Sequence, residues 1–401
     1  MGTIIHILFW VVFAYCAVSV AYLFVLALFG KFFYRKKFNG EAALPQKKIA
    51  ILVPAYKEDN IIISSAMSMV RLDYPRELYD VFIIADSFQP ATIRQLGEMP
   101  LHVLEVSFDK STKTRALNEA FSRIEGSYDV ALICDADNIL ARNFLEKINT
   151  AFVQGARAVQ GRRVAKNLDT SFAILDACSE GINNNIFRKG ASAVGLSSAV
   201  IGSGMAFEYG KIRQILSNID AVGGFDKPLQ LDIVRQDIRI EYLEDALIFD
   251  EKVDSPYAFG QQRQRWVSSQ FIYLKRFFLP AFRLLFRGNI SYFNLAIVNN
   301  FILPRAFLFI ILPLLVVLAI FISNASLIAS IILLALYCIT MLIALPTELI
   351  NKNLWQAVWK MPRAIMIMFG TLFRMKQSNK TFIHTVHTKT EINNPLFDEP
   401  K

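Results

Sequence analysis

The sequence predicts an α/β protein, a mostly parallel sheet covered by helices and joined to transmembrane and interfacial helices. Three observations predict it. Short runs rich in Val and Ile, each ending in polar residues, alternate with helical stretches between residues 48 and about 250. Long apolar runs stand at residues 4–29, 306–323 and 326–345. Composition agrees: 54% of the 401 residues are hydrophobic, 19% are charged, and mean hydropathy is +0.37. A soluble domain carries about a quarter charged residues.

Residues 4–29 contain no charge apart from His6. The run exceeds the about 7 to 15 apolar residues of a signal-peptide core, and its start is uncharged. The basic residues Lys31, Arg35, Lys36 and Lys37 follow it instead. It is therefore expected to be an anchor, with the N-terminus outside and residue 31 onward in the cytoplasm. The expected units are a 1–30 transmembrane helix, a 31–266 cytoplasmic catalytic domain, and a 267–376 unit holding interfacial helices and the 306–323 and 326–345 hairpin. A cytoplasmic tail, 377–401, closes the chain. Three crossings make a multi-pass protein of the cell membrane. The formal net charge of +9 gathers beside apolar segments, at 31–37 and 275–287, which suits membrane lipids and argues against nucleic acid. Cys16, Cys134, Cys178 and Cys338 show no CxxC or Cys/His spacing, so neither a disulfide framework nor a zinc site is expected.

In open sheets of parallel strands, ligands bind beyond the carboxyl ends of the strands. KKIAILVP leads into Tyr56-Lys57-Glu58, DVFIIAD ends at Asp86, and DVALIC leads into Asp135-Ala136-Asp137. Two carboxylates flanking a small residue at a strand end suit a hard divalent cation that neutralises a diphosphate. Lys113 and Asn118 lie in KTRALN, Gly202-Ser203-Gly204 follows, and GGFDKPLQLD ends at Asp232. Gln262-Arg263-Gln264-Arg265-Trp266 precedes the membrane segments. Each has a structural alternative: Asp86 as a helix cap, Lys113 as a solvated helix residue, Gly202 and Gly204 as turn glycines, Trp266 as an interfacial anchor.

In this order, from about residue 48 to 266, these elements resemble the family-2 inverting glycosyltransferases, which include cellulose, chitin and hyaluronan synthases and ceramide glucosyltransferases. The resemblance implies a GT-A (Rossmann-like) fold, a nucleotide-sugar donor, usually UDP-linked, and Mg²⁺ or Mn²⁺. By position, Tyr56, Glu58 and Asp86 would hold the nucleoside and Lys113 the diphosphate. Asp137, helped by Asp135, would bind the metal, and Asp232 would be the base. Gln262, Arg265 and Trp266, with Gly204, would line the leaving-group and acceptor side. Two departures stand out: Leu231 replaces the acidic residue before the base, leaving Asp237 as a neighbour to exclude, and ADSFQ surrounds Asp86. Phe382-Ile383-His384-Thr385-Val386-His387 is similar to the cellulose synthase gating loop that closes over the donor nucleotide, with Thr385 and His387 as its expected gating residues and a disordered tail as the alternative.

The expected activity is a metal-dependent hexosyltransferase building a β-linked polysaccharide processively, since QxxRW usually marks processive members. A single-transfer lipid glycosyltransferase of the ceramide type is the alternative, and an inactive membrane adaptor the third reading. The acceptor is a glycan or a lipid. Three spans are few to enclose a polymer channel, which implies a homo-oligomer or an export partner.

Overall fold

A computed structural model describes residues 2–38, 44–219, 224–372 and 388–397. In chain order its strands are β1 (Ile49–Tyr56), β2 (Tyr79–Asp86), β3 (His102–Val106), β4 (Val130–Ile133), β5 (Ile139–Leu140), β6 (Ala158–Ala165), β7 (Met205–Glu208) and β8 (Ile240–Asp250). They form one sheet in the order β3-β2-β1-β4-β7-β6-β8-β5. The half around β1 is parallel, as the alternating pattern predicts. β7 then runs antiparallel to both β4 and β6, so the sheet is mixed rather than mostly parallel. Side-chain period marks a strand but not the direction of its pairing, which the path of the chain through the fold sets.

Helices α1 (Gly2–Phe32), α2 (Ile62–Met69), α3 (Pro90–Gly97), α4 (Lys113–Arg123) and α5 (Phe144–Val153) come first. Then follow α6 (Ser171–Asn183), α7 (Tyr209–Leu216), α8 (Asp226–Arg235) and α9 (Pro256–Leu285). The strands are apolar on both faces because helices cover both. Ala50 and Leu52 of β1 face a core with Leu117 and Phe121 of α4 and Leu229 and Ile233 of α8. Ile49, Ile51 and Val53 face the opposite core with Ile62 and Met69 of α2 and Phe144 and Ile148 of α5. This is the period of two that a strand imposes. α4 begins where Thr112 accepts the Arg115 N–H (3.2 Å), a cap that sets Lys113 as its first residue.

The membrane part comprises α1, α10 (Arg305–Ala319) and α11 (Asn324–Ala344), packed through Cys16, Leu23, Leu312 and Tyr337. Among the described residues two helices are long and apolar enough to cross a bilayer, Thr3–Phe32 and Asn324–Ala344. α10, with 15 residues, reaches that length only together with the preceding Ile290–Phe301, across a bend of 54°. The bend falls around Ile302 and Pro304, whose ψ of 137° and 130° take the chain out of helical geometry. α12 (Lys352–Val358) and α13 (Met361–Leu372) follow. α9 runs unbroken for 30 residues from the catalytic domain into the basic, apolar segment beyond residue 266. The basic flank of α1 is partly used by protein: Lys37 pairs with Glu241 (2.5 Å), Lys36 with Asp245 (3.5 Å), and Tyr34 donates to the Tyr242 carbonyl (2.8 Å).

Candidate active site

Parallel pairing brings the ends of three strands together. In the β1–β2 register Tyr56 lies opposite Asp86, and the Lys57 N–H donates to the Asp86 carbonyl (3.1 Å). Lys57 and Ser87, the residues just past these strands, both adopt a left-handed φ, 55° and 60°, so the chain turns sharply there. Asp86 is buried and accepts from Ser87 Oγ (2.9 Å). It does not cap α3. The start of α3 is instead tied down by Asp59, whose Oδ1 accepts from the Gln89 N–H (2.9 Å) and Thr92 Oγ1 (2.6 Å). Glu58 opens the following turn, its carbonyl accepting the Ile61 and Ile62 N–H groups.

Beyond β4, the Cys134 N–H still donates to Leu52 (3.0 Å), and the Asp135-Ala136-Asp137 loop then leaves the sheet. Burial pushes the Cys134 thiol up to about 12, so it is neither nucleophile nor thiolate ligand. Asn138, fully buried, accepts the Asp135 N–H through Oδ1 (3.1 Å) and also the Ser203 hydroxyl. Ser203 Oγ accepts the Asp135 N–H as well (2.9 Å). Lys113 Nζ pairs with Asp135 Oδ1, donates to the Gly202 carbonyl (2.6 Å), and stands 5.2 Å from the Phe225 ring. The solvated-helix alternative for Lys113 is therefore excluded. Asn118 is structural, donating to the Leu216 carbonyl (3.0 Å) and tying α4 to α7.

Asp137 is buried, and its Oδ2 accepts the Glu251 N–H (3.0 Å) and its Oδ1 the Asn138 amide (3.2 Å). Lys166, also buried, donates to the Asp137 carbonyl (2.7 Å). Burial lowers the Lys166 pKa, against the attraction of Asp137, Glu251 and Asp250. Gly202 and Gly204 have φ of 83° and 59°, and a Cβ on Gly204 would stand 1.7 Å from Ile248 Cδ1. Only glycine fits there. Gln160 staples this loop, donating to the Ser203 carbonyl (2.9 Å) and accepting the Ile201 N–H (3.0 Å).

Asp232 is half-buried on α8 and pairs with Arg235 (3.1 Å). Burial raises its pKa, opposed by Arg235 and Arg276. Among the described residues it meets none of the other expected site groups. Asp237 is an exposed turn residue with φ 55° that accepts from Asn289 (3.2 Å), which separates it from the site. The first residue of α8, Asp226, directly follows Phe225, the ring that faces Lys113 and Gly202. Sequence reasoning passed over Asp226, as it did Asn138, Gln160, Lys166 and Glu251. A signal existed for Asn138, adjacent to Asp137, and for Asp226, inside GGFDKPLQLD, but none for Gln160, Lys166 and Glu251, which tertiary contact alone recruits. Gln262 lies on α9 with its Oε1 buried and without a hydrogen-bond partner among the described residues. The backbones of Arg265 and Trp266 continue that helix, and their side chains lie outside the described residues. Thr385 and His387 lie outside them too.

The donor set consists of oxygens: Asp135 and Asp137, with no group of three or more His, Cys, Asp or Glu placed to ligate a metal among the described residues. Two carboxylates fit a hard divalent cation that completes its shell with diphosphate oxygens and water.

Residues 45–269 match the sequence model of the family described as "Glycosyltransferase like family 2". The chain is similar to a β-monoglucosyldiacylglycerol synthase of Trichormus variabilis, 28% identical over 247 residues, covering 58% of this chain and 50% of that one. It is similar also to a probable glycosyltransferase of Bacillus subtilis, YdaM, 24% identical over 260 residues, covering 61% and 60%. The chain thus spans about half the length of the first of these relatives. Among solved structures, a mannosyltransferase from Pyrobaculum calidifontis, in complex with GDP-Man and Mn²⁺, superposes with a TM-score of 0.56 at 16% identity, over 95% of this chain and 100% of that one. That likeness shows the GT-A fold.

Proposed function

The chain belongs to glycosyltransferase family 2, and on that premise we propose that it transfers a single sugar from a nucleotide-diphosphate donor to a hydroxyl of a lipid acceptor in the membrane. The observation that carries this reading is the convergence of Lys113, Asp135 and Asp137 at the aligned ends of β1, β2 and β4. The paired Tyr56 and Asp86, with Glu58, take the nucleoside beside them. The lipid acceptor is supported by the apolar helices packed beside the sheet domain and by the lipid product in the names of three relatives. Processive polysaccharide synthesis is the second reading, favoured by Gln262-Arg263-Gln264-Arg265-Trp266, and would need an oligomer or export partner to form a channel. The inactive-adaptor reading is disfavoured because both loop carboxylates are present and held.

Inversion is one in-line displacement. The acceptor oxygen attacks the anomeric carbon, the bond to the diphosphate breaks, and one carboxylate takes the acceptor proton. Asp226 and Asp232 are the two candidates for that carboxylate. Lys113 and Arg265 offset the charge gathering on the leaving diphosphate. Asp137 and Asp135 would hold Mg²⁺ or Mn²⁺, which supplies further charge neutralisation there. Gln262 and Trp266 flank the acceptor side, and Thr385 and His387 would reach the donor from the tail. The domain works on the cytoplasmic face, where nucleotide sugars are made.

The test is incubation of purified protein with radiolabelled nucleotide sugars and diacylglycerol, with products separated by chromatography. A single glycolipid is expected, silenced by EDTA and by Asp137→Asn in a protein that still folds. A ladder of long glycans would favour the second reading, and full activity in EDTA would remove the metal.

A further inference from the structure

Residues 388–397 lie against the residues that hold the Asp135-Ala136-Asp137 loop, and most of their polar contacts fall on one of those residues or beside it, while Lys389 also pairs with Asp169 (2.6 Å). Glu251 gives its N–H to Asp137 Oδ2 (3.0 Å), while its carboxylate accepts the N–H groups of Thr388 (3.0 Å) and Lys389 (2.9 Å). Lys166 donates to the Asp137 carbonyl, and its own carbonyl accepts the Asn393 N–H (2.8 Å). Asn394, itself buried, donates to the neighbouring Ala165 carbonyl (2.6 Å). On α2, Ser65 Oγ donates to the Ala136 carbonyl (2.5 Å), and the adjacent Ser64 donates to the Thr390 carbonyl (3.2 Å). Beneath these, Ile392 and Leu396 pack on Ile139, Val164, Leu247 and Phe249, and the Phe397 ring meets Phe249 edge-on at 5.3 Å. Ile139 opens the strand that leaves the loop.

A buried Lys166 and a half-buried Glu251 have polar groups that water reaches poorly, so a partner lost there is costly. The tail supplies those partners, and an apolar footing holds it in place. We propose that residues 388–397 form a positioning strap: through Glu251, Lys166 and Ser64 they fix the orientation of the Asp137 carboxylate, which makes the chain's own C-terminal segment part of the donor site. The functional half of this inference rests on the reading of Asp137 given above, whereas the structural half does not. The strap acts separately from Thr385 and His387, which precede it.

The experiment compares the full chain in lipid nanodiscs with one ending at His387, which keeps Thr385 and His387, and with the full-length double variant Asn394→Ala, Ile392→Ser. Amide hydrogen exchange is read at residues 134–140 and 249–252, and binding of Mn²⁺ with UDP is read by electron paramagnetic resonance. Peptide 388–397 is then added back. Both variants should exchange about tenfold faster in these segments, as local opening does when its restraints go. They should also bind Mn²⁺ with UDP about tenfold more weakly and raise donor KM more than they lower kcat, and the peptide should restore all three. Unchanged exchange in both folded variants would overturn the strap. Accelerated exchange in a protein whose wild type binds no Mn²⁺ with UDP would uphold the strap and overturn the donor-site reading.

Discussion

At the scale of single residues, position along α8 distinguishes the two proposed bases. Asp226 begins the helix beside the Lys113 cluster, whereas Asp232 lies nearly two turns on, about 9 Å further along the axis. Asp226→Asn is therefore expected to lower turnover about 10²- to 10⁴-fold with donor binding intact, and Asp232→Asn to cost less; single-turnover kinetics with the reverse order would return the role to Asp232. Glu180 shows a second residue-scale effect. Burial alone would raise its carboxyl, but Arg163 (2.7 Å) and Arg188 (3.1 Å) hold it well below the usual carboxylate range. Its contribution is therefore complete above the ordinary value of 4.5 and is lost as pH falls below it. Glu180→Gln should cost about 3–5 kcal/mol, since it leaves the buried Arg188 guanidinium without its carboxylate while Arg163 keeps Asp250 (3.3 Å). The variant's thermal midpoint should lack the part of the acid-side decline that the wild type shows, and a superimposable pair of pH profiles would refute this.

Among elements, the contact of α1 with the helical segment 184–193 depends on two glycines. A Cβ on Gly190 would stand 2.2 Å from the Leu26 carbonyl, and one on Gly30 would stand 2.4 Å from the Asn185 carbonyl. Both obstacles are backbone, which cannot swing aside, so this is a close small-residue crossing of the kind helices use in membranes. Gly190→Leu should cost at least the about 1–3 kcal/mol typical of overpacking, detaching α1 from the catalytic domain while insertion persists. Gly210→Ala, on the open face of α7, is the control, because nothing lies within 4 Å of its Cβ. Equal thermal midpoints for the two variants would show the crossing to be dispensable. α9 matters at this scale too. It carries Gln262, a proposed acceptor-side residue, and the basic, apolar stretch around Lys275 on one helix.

For the whole molecule, the charges flanking α1 set how the sheet domain meets the bilayer. Lys36 and Lys37 pair with acids of β8 and so contribute less to the positive flank than their number suggests. Lys31 and Arg35 remain for the lipid surface. The proposed topology, with the N-terminus outside and the sheet domain in the cytoplasm, would put the short turn between α10 and α11 outside. A cysteine placed at Asn324 in a Cys338→Ser background should then react with an impermeant maleimide added to intact cells. Labelling from the cytoplasmic side alone would require α10 and Ile290–Phe301 to re-enter the membrane rather than cross it, which their 54° bend permits.

The sequence by itself determined the strand–helix alternation, the apolar helices at each end, and the placing of Tyr56, Asp86, Asp135 and Asp137 at strand ends. These follow from local patterns: side-chain period, run length, and polar residues placed just past apolar strands. The reversal at β7, the break before Pro304 as a bend between paired helices, and the partners of Asp137 were decided only by the tertiary structure. Lys166, Glu251 and the tail residues stand 29 or more positions from Asp137 and carry no local signal. Buried hydrogen bonds between distant strands select them, and one sequence read along its length does not reveal which polar side chains the fold will leave without water.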